Sequence, residues 1–305
     1  MSMHSPRVLI GPEVEPWLRD AVIDGDGILV DDHREAEAIV WRGSDHRRLA
    51  DLLAEAPDVS WIQLGAAGTD AWAASGLFHD GRVWTSAKGA YSEAVGEHAL
   101  ALTLALLRDL PRFAGAARWL PKSGRMLFDR TVLVLGSEGG IGQELIRLLT
   151  PFRVNILSGG RGGISDATTG APLTLEAALG RADVVVIATA LTSETRGLFG
   201  PAQFAAMQRT AVLVNIARGA VVDTDALVQA LDSGEIAAAA LDVTDPEPLP
   251  AGHPLWSLEN CLVTPHTANT PEMLKPQLAR RITENLRRFA AGAPLLGVVD
   301  AAKGY

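Results

Sequence analysis

Three short segments carry side chains that can do chemistry together. Arg218 stands in Val214-Asn215-Ile216-Ala217-Arg218-Gly219, Glu247 lies between two prolines in Asp242-Val243-Thr244-Asp245-Pro246-Glu247-Pro248, and His266 follows a proline in Thr264-Pro265-His266-Thr267-Ala268-Asn269. Each segment sits at the end of an apolar, strand-like run, and in open α/β sheets ligands gather at the carboxyl ends of strands. The set supplies a fixed cation, a carboxylate and an imidazole. That combination suits reduction of a 2-oxo acid. The arginine binds the substrate carboxylate, the histidine donates a proton to the carbonyl oxygen, and the glutamate keeps the imidazole protonated and oriented. Taken singly, each has a structural reading: a capping arginine, a turn carboxylate, a satisfied histidine. All three lie at strand ends, where the ligands of such sheets gather, and together they form a candidate site.

A fourth segment points to a nucleotide. The apolar run 132–135 leads into Gly136-Ser137-Glu138-Gly139-Gly140-Ile141-Gly142, and a helical pattern follows over 143–149. This is the strand, turn and helix order of a dinucleotide fingerprint. Its glycines let backbone N–H groups approach a pyrophosphate at the positive end of a helix. Counted back from Gly142, the first glycine of the fingerprint falls on Ser137, and Glu138 places a carboxylate near the diphosphate. The next apolar run ends in Ser158-Gly159-Gly160-Arg161. An NAD site ordinarily carries Asp or Glu there, about 20 residues past the loop, to bond the ribose 2′-OH. With Gly160 in that place and Arg161 beside it, nothing at the strand end repels a 2′-phosphate and a guanidinium can pair with it. NADP is therefore expected ahead of NAD.

These segments need a scaffold of parallel strands. Mostly apolar runs at 7–10, 27–30, 38–41, 60–64 and 83–85 alternate with helical patches at 14–23 and 45–54, and a long helical pattern over 92–113 closes near Pro111. A second series follows at 132–135, 154–157, 184–188, 211–215, 237–241 and 261–264, then a last helix over 271–291 with a basic stripe of Arg280, Arg281, Arg287 and Arg288. Continuous Val, Ile and Leu runs indicate strands buried on both faces, and β/α alternation indicates parallel sheets covered by helices. The 118–129 stretch, with Pro121, Lys122, Ser123 and Gly124, reads as the loop between two halves. A chain of 305 residues suffices for two domains. The net charge of −9 gives no general attraction to nucleic acid or an anionic membrane. No apolar run approaches the ~20 residues of a membrane span, and the one near the N-terminus is too short for a secretion signal. The single Cys261 rules out an internal disulfide and a multi-cysteine metal site, and reads as a buried reduced thiol. A cytoplasmic protein without nucleic-acid, membrane or metal partners is expected. His98, in the 92–113 helix, reads as structural.

The chain resembles the D-isomer-specific 2-hydroxyacid dehydrogenase family in the segments WIQLGAAGTD (61–70), EAVGEHALALTLALLRDLPRF (93–113), GGIGQEL (139–145), VNIARGAVVDTDALVQAL (214–231), AALDVTDPEPLPAGHPLW (239–256) and NCLVTPHTANT (260–270). They keep the family's order and span nearly the whole chain. The tail VVDAAKGY (298–305) is similar to the glyoxylate/hydroxypyruvate reductase-like branch. The resemblance implies an α/β fold of two doubly wound parallel-sheet domains, with a Rossmann cofactor domain (96–271) inserted in a flavodoxin-like substrate domain (1–95 plus 272–305). It implies an NAD(P)H-dependent oxidoreductase that interconverts small 2-oxo acids and D-2-hydroxy acids, as a homodimer formed through the cofactor domain and the 92–113 region. It assigns Arg218 to substrate orientation, Glu247 to pairing with the histidine and His266 to acid/base work. Ala67 and Gly68 receive the substrate carboxylate together with Arg218. Around the cofactor it implies Val95, Gly139, Gly140, Ile141, Gly142, Arg161, Thr189, Ala190, Ile216, Ala217, Asp242 and Asn269, with Asp242 at the nicotinamide end. Ser137, Glu138, Gly160 and Asn269 depart from the family pattern; Arg218, Glu247 and His266 do not. Two alternatives stay open: a non-catalytic dinucleotide-binding regulator of the same family, and a relative oxidising another small anion. Against the second, the lysine that phosphite oxidation uses is missing from Gly65-Ala66-Ala67-Gly68.

Overall fold

The computed structural model describes residues 4–302, so the last three residues of the tail named above lie outside it. The chain divides into two compact units, Met1–Tyr91 with Thr270–Tyr305, and Ser92–Asn269. The first boundary falls ahead of Ser92 rather than after residue 95 because a helix beginning at Ser92 belongs whole to the second unit.

The first unit carries β1 (Arg7–Gly11), β2 (Ile28–Leu29), β3 (Ala38–Trp41), β4 (Trp61–Leu64) and β5 (Val83–Thr85) with α1 (Pro16–Asp24), α2 (His46–Ala54) and α3 (Asp70–Ala73). Its parallel sheet runs β2-β1-β3-β4-β5, the flavodoxin-like order. β3 and β4 are buried along their whole length, as continuous apolar runs require. The C-terminal segment returns to this sheet through a buried polar junction. Asn285 and Gln63 are both fully buried. Asn285 Nδ2 donates to Gln63 Oε1 at 2.8 Å and to Leu296 O at 3.0 Å, while its Oδ1 accepts from Leu296 N at 2.8 Å. Gln63 Oε1 also accepts from Thr85 Oγ1 at 3.0 Å, which in turn accepts from Trp61 Nε1 at 2.8 Å.

The second unit carries α4 (Ser92–Leu107), α5 (Leu110–Ala114), β6 (Thr131–Leu135), α6 (Gly140–Leu149), β7 (Asn155–Gly160), β8 (Gly163–Asp166), β9 (Pro172–Leu173), α7 (Leu175–Arg181), β10 (Val184–Ile187), α8 (Pro201–Ala206), β11 (Val212–Asn215), α9 (Thr224–Asp232), β12 (Ala238–Leu241) and β13 (Cys261–Val263); α10 (Pro271–Ala290) returns to the first unit. The sheet runs β13-β12-β11-β10-β6-β7-β8-β9. From β6 the chain passes to β7 on one side and later to β10 on the other. That reversal marks the crevice where such folds bind dinucleotides.

Four sequence expectations need correction. The sheet is not wholly parallel: β7 and β8 pair antiparallel with Gly160 opposite Gly163, leaving Arg161 and Gly162 as a two-residue turn. Glycines at 159, 160, 162 and 163, the last with φ +103°, permit that tight reversal. The 92–113 helix stops at Leu107 because Pro111 cannot donate to the Leu107 carbonyl and would clash with it; Asp109 turns at φ +57° and α5 starts afresh. The 118–129 loop is no boundary. The freed Leu107 carbonyl accepts from Arg125 N at 2.6 Å, which ties the loop inside the second unit. Cys261 lies on the sheet-edge strand β13 and is only half-buried, with its thiol pushed up to about 12 by desolvation. Among the described residues no helix is long and apolar enough to cross a membrane.

The Asn285 junction should carry much of the first unit's cohesion. Asn285→Ala takes one of two donors from the Gln63 carbonyl, which keeps its bond from Thr85 Oγ1, and removes the side chain that both Leu296 backbone groups bond. It is expected to cost about 3 kcal/mol, read as a lower urea-unfolding midpoint. An unchanged midpoint would show that water replaces the amide without loss.

Candidate active site

Arg218, Glu247 and His266 all belong to the second unit and follow β11, β12 and β13, three adjacent strands that end at the same sheet edge. Local hydrogen bonds shape each segment. Asn215, fully buried at the end of β11, accepts from Ala217 N through Oδ1 at 3.0 Å and donates Nδ2–H to Arg218 O at 3.0 Å. This turn fixes the backbone on both sides of Arg218, whose Nη1 donates to Ala217 O at 2.7 Å. Gly219 then lets the arginine turn press against the glutamate loop. A Cβ there would stand 2.0 Å from the Thr244 carbonyl carbon and oxygen.

Glu247 Oε1 and His266 Nδ1 lie 2.7 Å apart. The glutamate's other oxygen accepts from Thr244 N at 3.4 Å. With Nδ1 committed to the carboxylate, Nε2 is the ring nitrogen left to exchange a proton with a ligand. The two side chains are 52% and 43% exposed. A pair so open to water adds at most ~1 kcal/mol to folding, so its value is orientation.

His266 adopts φ +49°, a left-handed conformation uncommon for a residue with a Cβ. Asp242 holds it there. The Asp242 backbone carbonyl accepts from His266 N at 2.8 Å. Its carboxylate accepts from Thr267 N at 2.9 Å, Ala268 N at 3.1 Å and Thr264 Oγ1 at 2.6 Å, with His98 Nε2 at 3.3 Å. Burial alone would raise this carboxyl. The bonds from His98, Thr264, Thr267 and Ala268 reverse that and hold it at about 2. Asp242, expected beside the nicotinamide, thus spends both oxygens bracing the histidine loop.

The second unit also carries the glycine loop between β6 and α6 and the segments after β10 and β11. Gly139 caps α6, which begins with Gly140 and Ile141, and a Cβ at Gly142 would stand 2.3 Å from Gly136 O. Gly136, at φ +92°, packs so close to the Ala188–Thr189 link that a Cβ would meet Ala188 O at 2.4 Å. Thr189 and Ala190 therefore follow β10 directly across from the glycine loop. Ile216 and Ala217 are buried past β11, and Val95 is buried on α4. These residues fit a dinucleotide. The loop and the β7–β8 hairpin enclose a cavity of about 580 Å³ lined by Ser137, Glu138, Gln143, Ser158 and Gly160. Asn269 Oδ1 is buried and has no hydrogen-bond partner among the described residues, an acceptor suited to a ligand amide. Arg161 stands at the hairpin tip, 74% exposed, with Nε 3.9 Å from Glu138 Oε2. In the first unit, Ala67 and Gly68 follow β4 in a turn whose start is pinned by Tyr91 Oη donating to Gly65 O at 2.6 Å. Among the described residues no group of three or more His, Cys, Asp or Glu is arranged to hold a metal ion.

His98, which the sequence reads as structural, supports the site from α4 through Thr264 and Asp242. It lies three residues after Val95, on the same helical face, and that spacing was the available signal.

The model of the D-isomer specific 2-hydroxyacid dehydrogenase NAD binding domain matches residues 100–268. A glyoxylate reductase of Aeropyrum pernix is 35% identical over 279 residues, covering 87% of this chain and 83% of that protein. The structure of a D-isomer specific 2-hydroxyacid dehydrogenase from Xanthobacter autotrophicus Py2, in complex with NADPH and MES, superposes with a TM-score of 0.82 at 30% identity, covering 99% of this chain and 100% of the other. An NADPH-dependent glyoxylate/hydroxypyruvate reductase from Sinorhizobium meliloti, in complex with NADP and malonate, gives a TM-score of 0.76 at 26% identity, with 98% of each chain covered.

The Asp242 brace has a pH signature. Its carboxyl titrates at about 2 in the folded chain against 3.8 ordinarily. Its stabilisation is full above the ordinary value and drains away as pH falls toward about 2. Asp242→Asn should lower the melting temperature at pH 7 and speed hydrogen exchange at the Thr267 and Ala268 amides, and the melting gap to wild type should narrow on going to pH 3. A gap independent of pH would dissociate the carboxylate charge from the brace.

Proposed function

As the chain belongs to the D-isomer specific 2-hydroxyacid dehydrogenase family, and is thereby an oxidoreductase acting on CH–OH with NAD(P), we propose that it reduces glyoxylate and hydroxypyruvate to the corresponding hydroxy acids, with NADPH ahead of NADH. The observation that carries this reading is the 2.7 Å His266–Glu247 contact held against the Arg218 turn. The relatives named for glyoxylate and hydroxypyruvate, and those holding NADP, support the choice of substrate and cofactor.

In the proposed mechanism the Arg218 guanidinium pairs with the substrate carboxylate. His266 donates the Nε2 proton to the carbonyl oxygen as it takes on negative charge, and Glu247 holds the ring by Nδ1. A nicotinamide dinucleotide supplies the hydride in this chemistry. Gly139, Gly140, Ile141 and Gly142 would hold its diphosphate, Arg161 its 2′-phosphate, Thr189, Ala190, Ile216 and Ala217 its length, and Val95 and Asn269 its amide end, with Asp242 bracing from behind. The reverse reaction takes the hydroxyl proton onto neutral His266.

Residues 1–91 with 270–305 form the substrate domain in this reading, and 92–269 the cofactor domain. We place the protein in the cytoplasm as a homodimer. The arm after α4 supports the dimer, with Leu110, Trp119 and Met126 all exposed, Trp119 at 94%. Trp119→Asp together with Met126→Asp should convert a species of twice the chain mass into a monomer in sedimentation. A monomeric wild type would end this part of the proposal.

Turnover of NADPH and NADH against a panel of 2-oxo acids tests the function directly. Glyoxylate and hydroxypyruvate should give the highest kcat/KM, higher with NADPH. His266→Ala should lower kcat at least ~100-fold with the dinucleotide still bound. Arg218→Lys should raise KM for the oxo acid and lower kcat, since lysine cannot reproduce the bidentate pairing. Loss of dinucleotide affinity at unchanged oxo-acid KM would reassign Arg218.

A further inference from the structure

The glycine loop and the β7–β8 hairpin meet through one side chain that the mechanism does not use. Glu138 lies over Gly160: a Cβ there would stand 2.6 Å from Glu138 Cδ and 2.7 Å from its Oε1. Its Oε2 is 3.9 Å from Arg161 Nε, and both Glu138 and Gly160 line the cavity of about 580 Å³. The missing acid at 160 and the extra acid at 138 are therefore one exchange. An aspartate at 160 would crowd and repel Glu138 where it now lies, and glycine leaves the space in which a carboxylate from the neighbouring loop reaches the strand end.

We propose that Glu138 is the residue that sets dinucleotide choice, accepting from the adenosine ribose 2′-OH in place of the acid absent at Gly160 and competing with a 2′-phosphate for Arg161. This rests on the reading of the cavity as a dinucleotide site. The physical argument is one of charge and reach. A carboxylate suits a ribose hydroxyl donor, as the strand-end acid does in NAD sites. The same carboxylate repels a phosphate carrying nearly two negative charges and occupies the guanidinium that the phosphate would need. The competition is graded. Glu138 is 58% exposed and Arg161 74%, and an ion pair so open to water is worth no more than about fivefold in an equilibrium. NADPH can thus displace the pair, NADH need not, and the wild-type preference for NADPH is narrow.

Calorimetric titration with two fragments, adenosine 5′-monophosphate and adenosine 2′,5′-bisphosphate, separates the terms without turnover. In Glu138→Gln the bisphosphate should bind about fivefold tighter and the monophosphate about threefold weaker, so the two affinities move in opposite directions. Glu138 is exposed, so the melting temperature should stay within a degree. Affinities that move together, or a ratio unchanged within twofold, would overturn the proposal while leaving the dinucleotide site standing. A wild-type protein that binds neither fragment would overturn both.

Discussion

The site depends on one buried carboxylate. Asp242, 2% exposed, receives two backbone N–H groups and a hydroxyl from the loop 264–268, and its own carbonyl receives His266 N. Those bonds offset the backbone cost of a left-handed histidine, of order 1–3 kcal/mol, which no packing of the exposed ring could supply. The geometry that brings Nδ1 to Glu247 follows from that backbone. His98 completes the brace from α4, so a helix outside the sheet also bears on the direction of the imidazole.

The three segments lie side by side because three adjacent parallel strands end together, and the first two of their loops press against each other. Asn215 folds the arginine turn back on itself, Gly219 admits the Thr244 carbonyl, and Thr224 Oγ1 ties down Asp245 O at 2.7 Å. None of these contacts involves a reacting atom. They convert strand register, with Val212, Leu213, Val214 and Asn215 paired to Ala238, Ala239, Ala240 and Leu241, into a spacing between side chains. Preorganisation of this kind lets weak, solvent-exposed interactions act in catalysis.

The strands were legible in the sequence wherever apolar runs were continuous. Residues 38–41 and 83–85 match β3 and β5 end to end, and 132–135 misses only the first residue of β6. What the sequence hid was set by single special residues or by tertiary packing. Pro111 ends α4 four residues upstream of itself, through a carbonyl clash that a periodicity count does not register. Ser158-Gly159-Gly160-Arg161 reads as a strand end with a nucleotide residue, whereas Gly159 and Gly160 with Gly162 and Gly163 make a hairpin turn around Arg161. β8 is four residues with one apolar side chain and β9 only two residues, too short to show an apolar period. Of the site, Arg218, Glu247 and His266 stood out by type and order. His98 did not, because its partners Thr264 and Asp242 lie some 150 residues away in sequence and only the fold brings them together.

The central claim is that His266 and Glu247 act as one acid/base unit. A double-mutant cycle on kcat for oxo-acid reduction, with Glu247→Gln, His266→Ala and the two together, tests it most directly. The glutamine keeps most of the shape and removes the charge that faces Nδ1 across 2.7 Å. Glu247→Gln should lower kcat on its own and add nothing once His266 is alanine. Losses that simply add would contradict the claim, since the carboxylate would then act independently of His266.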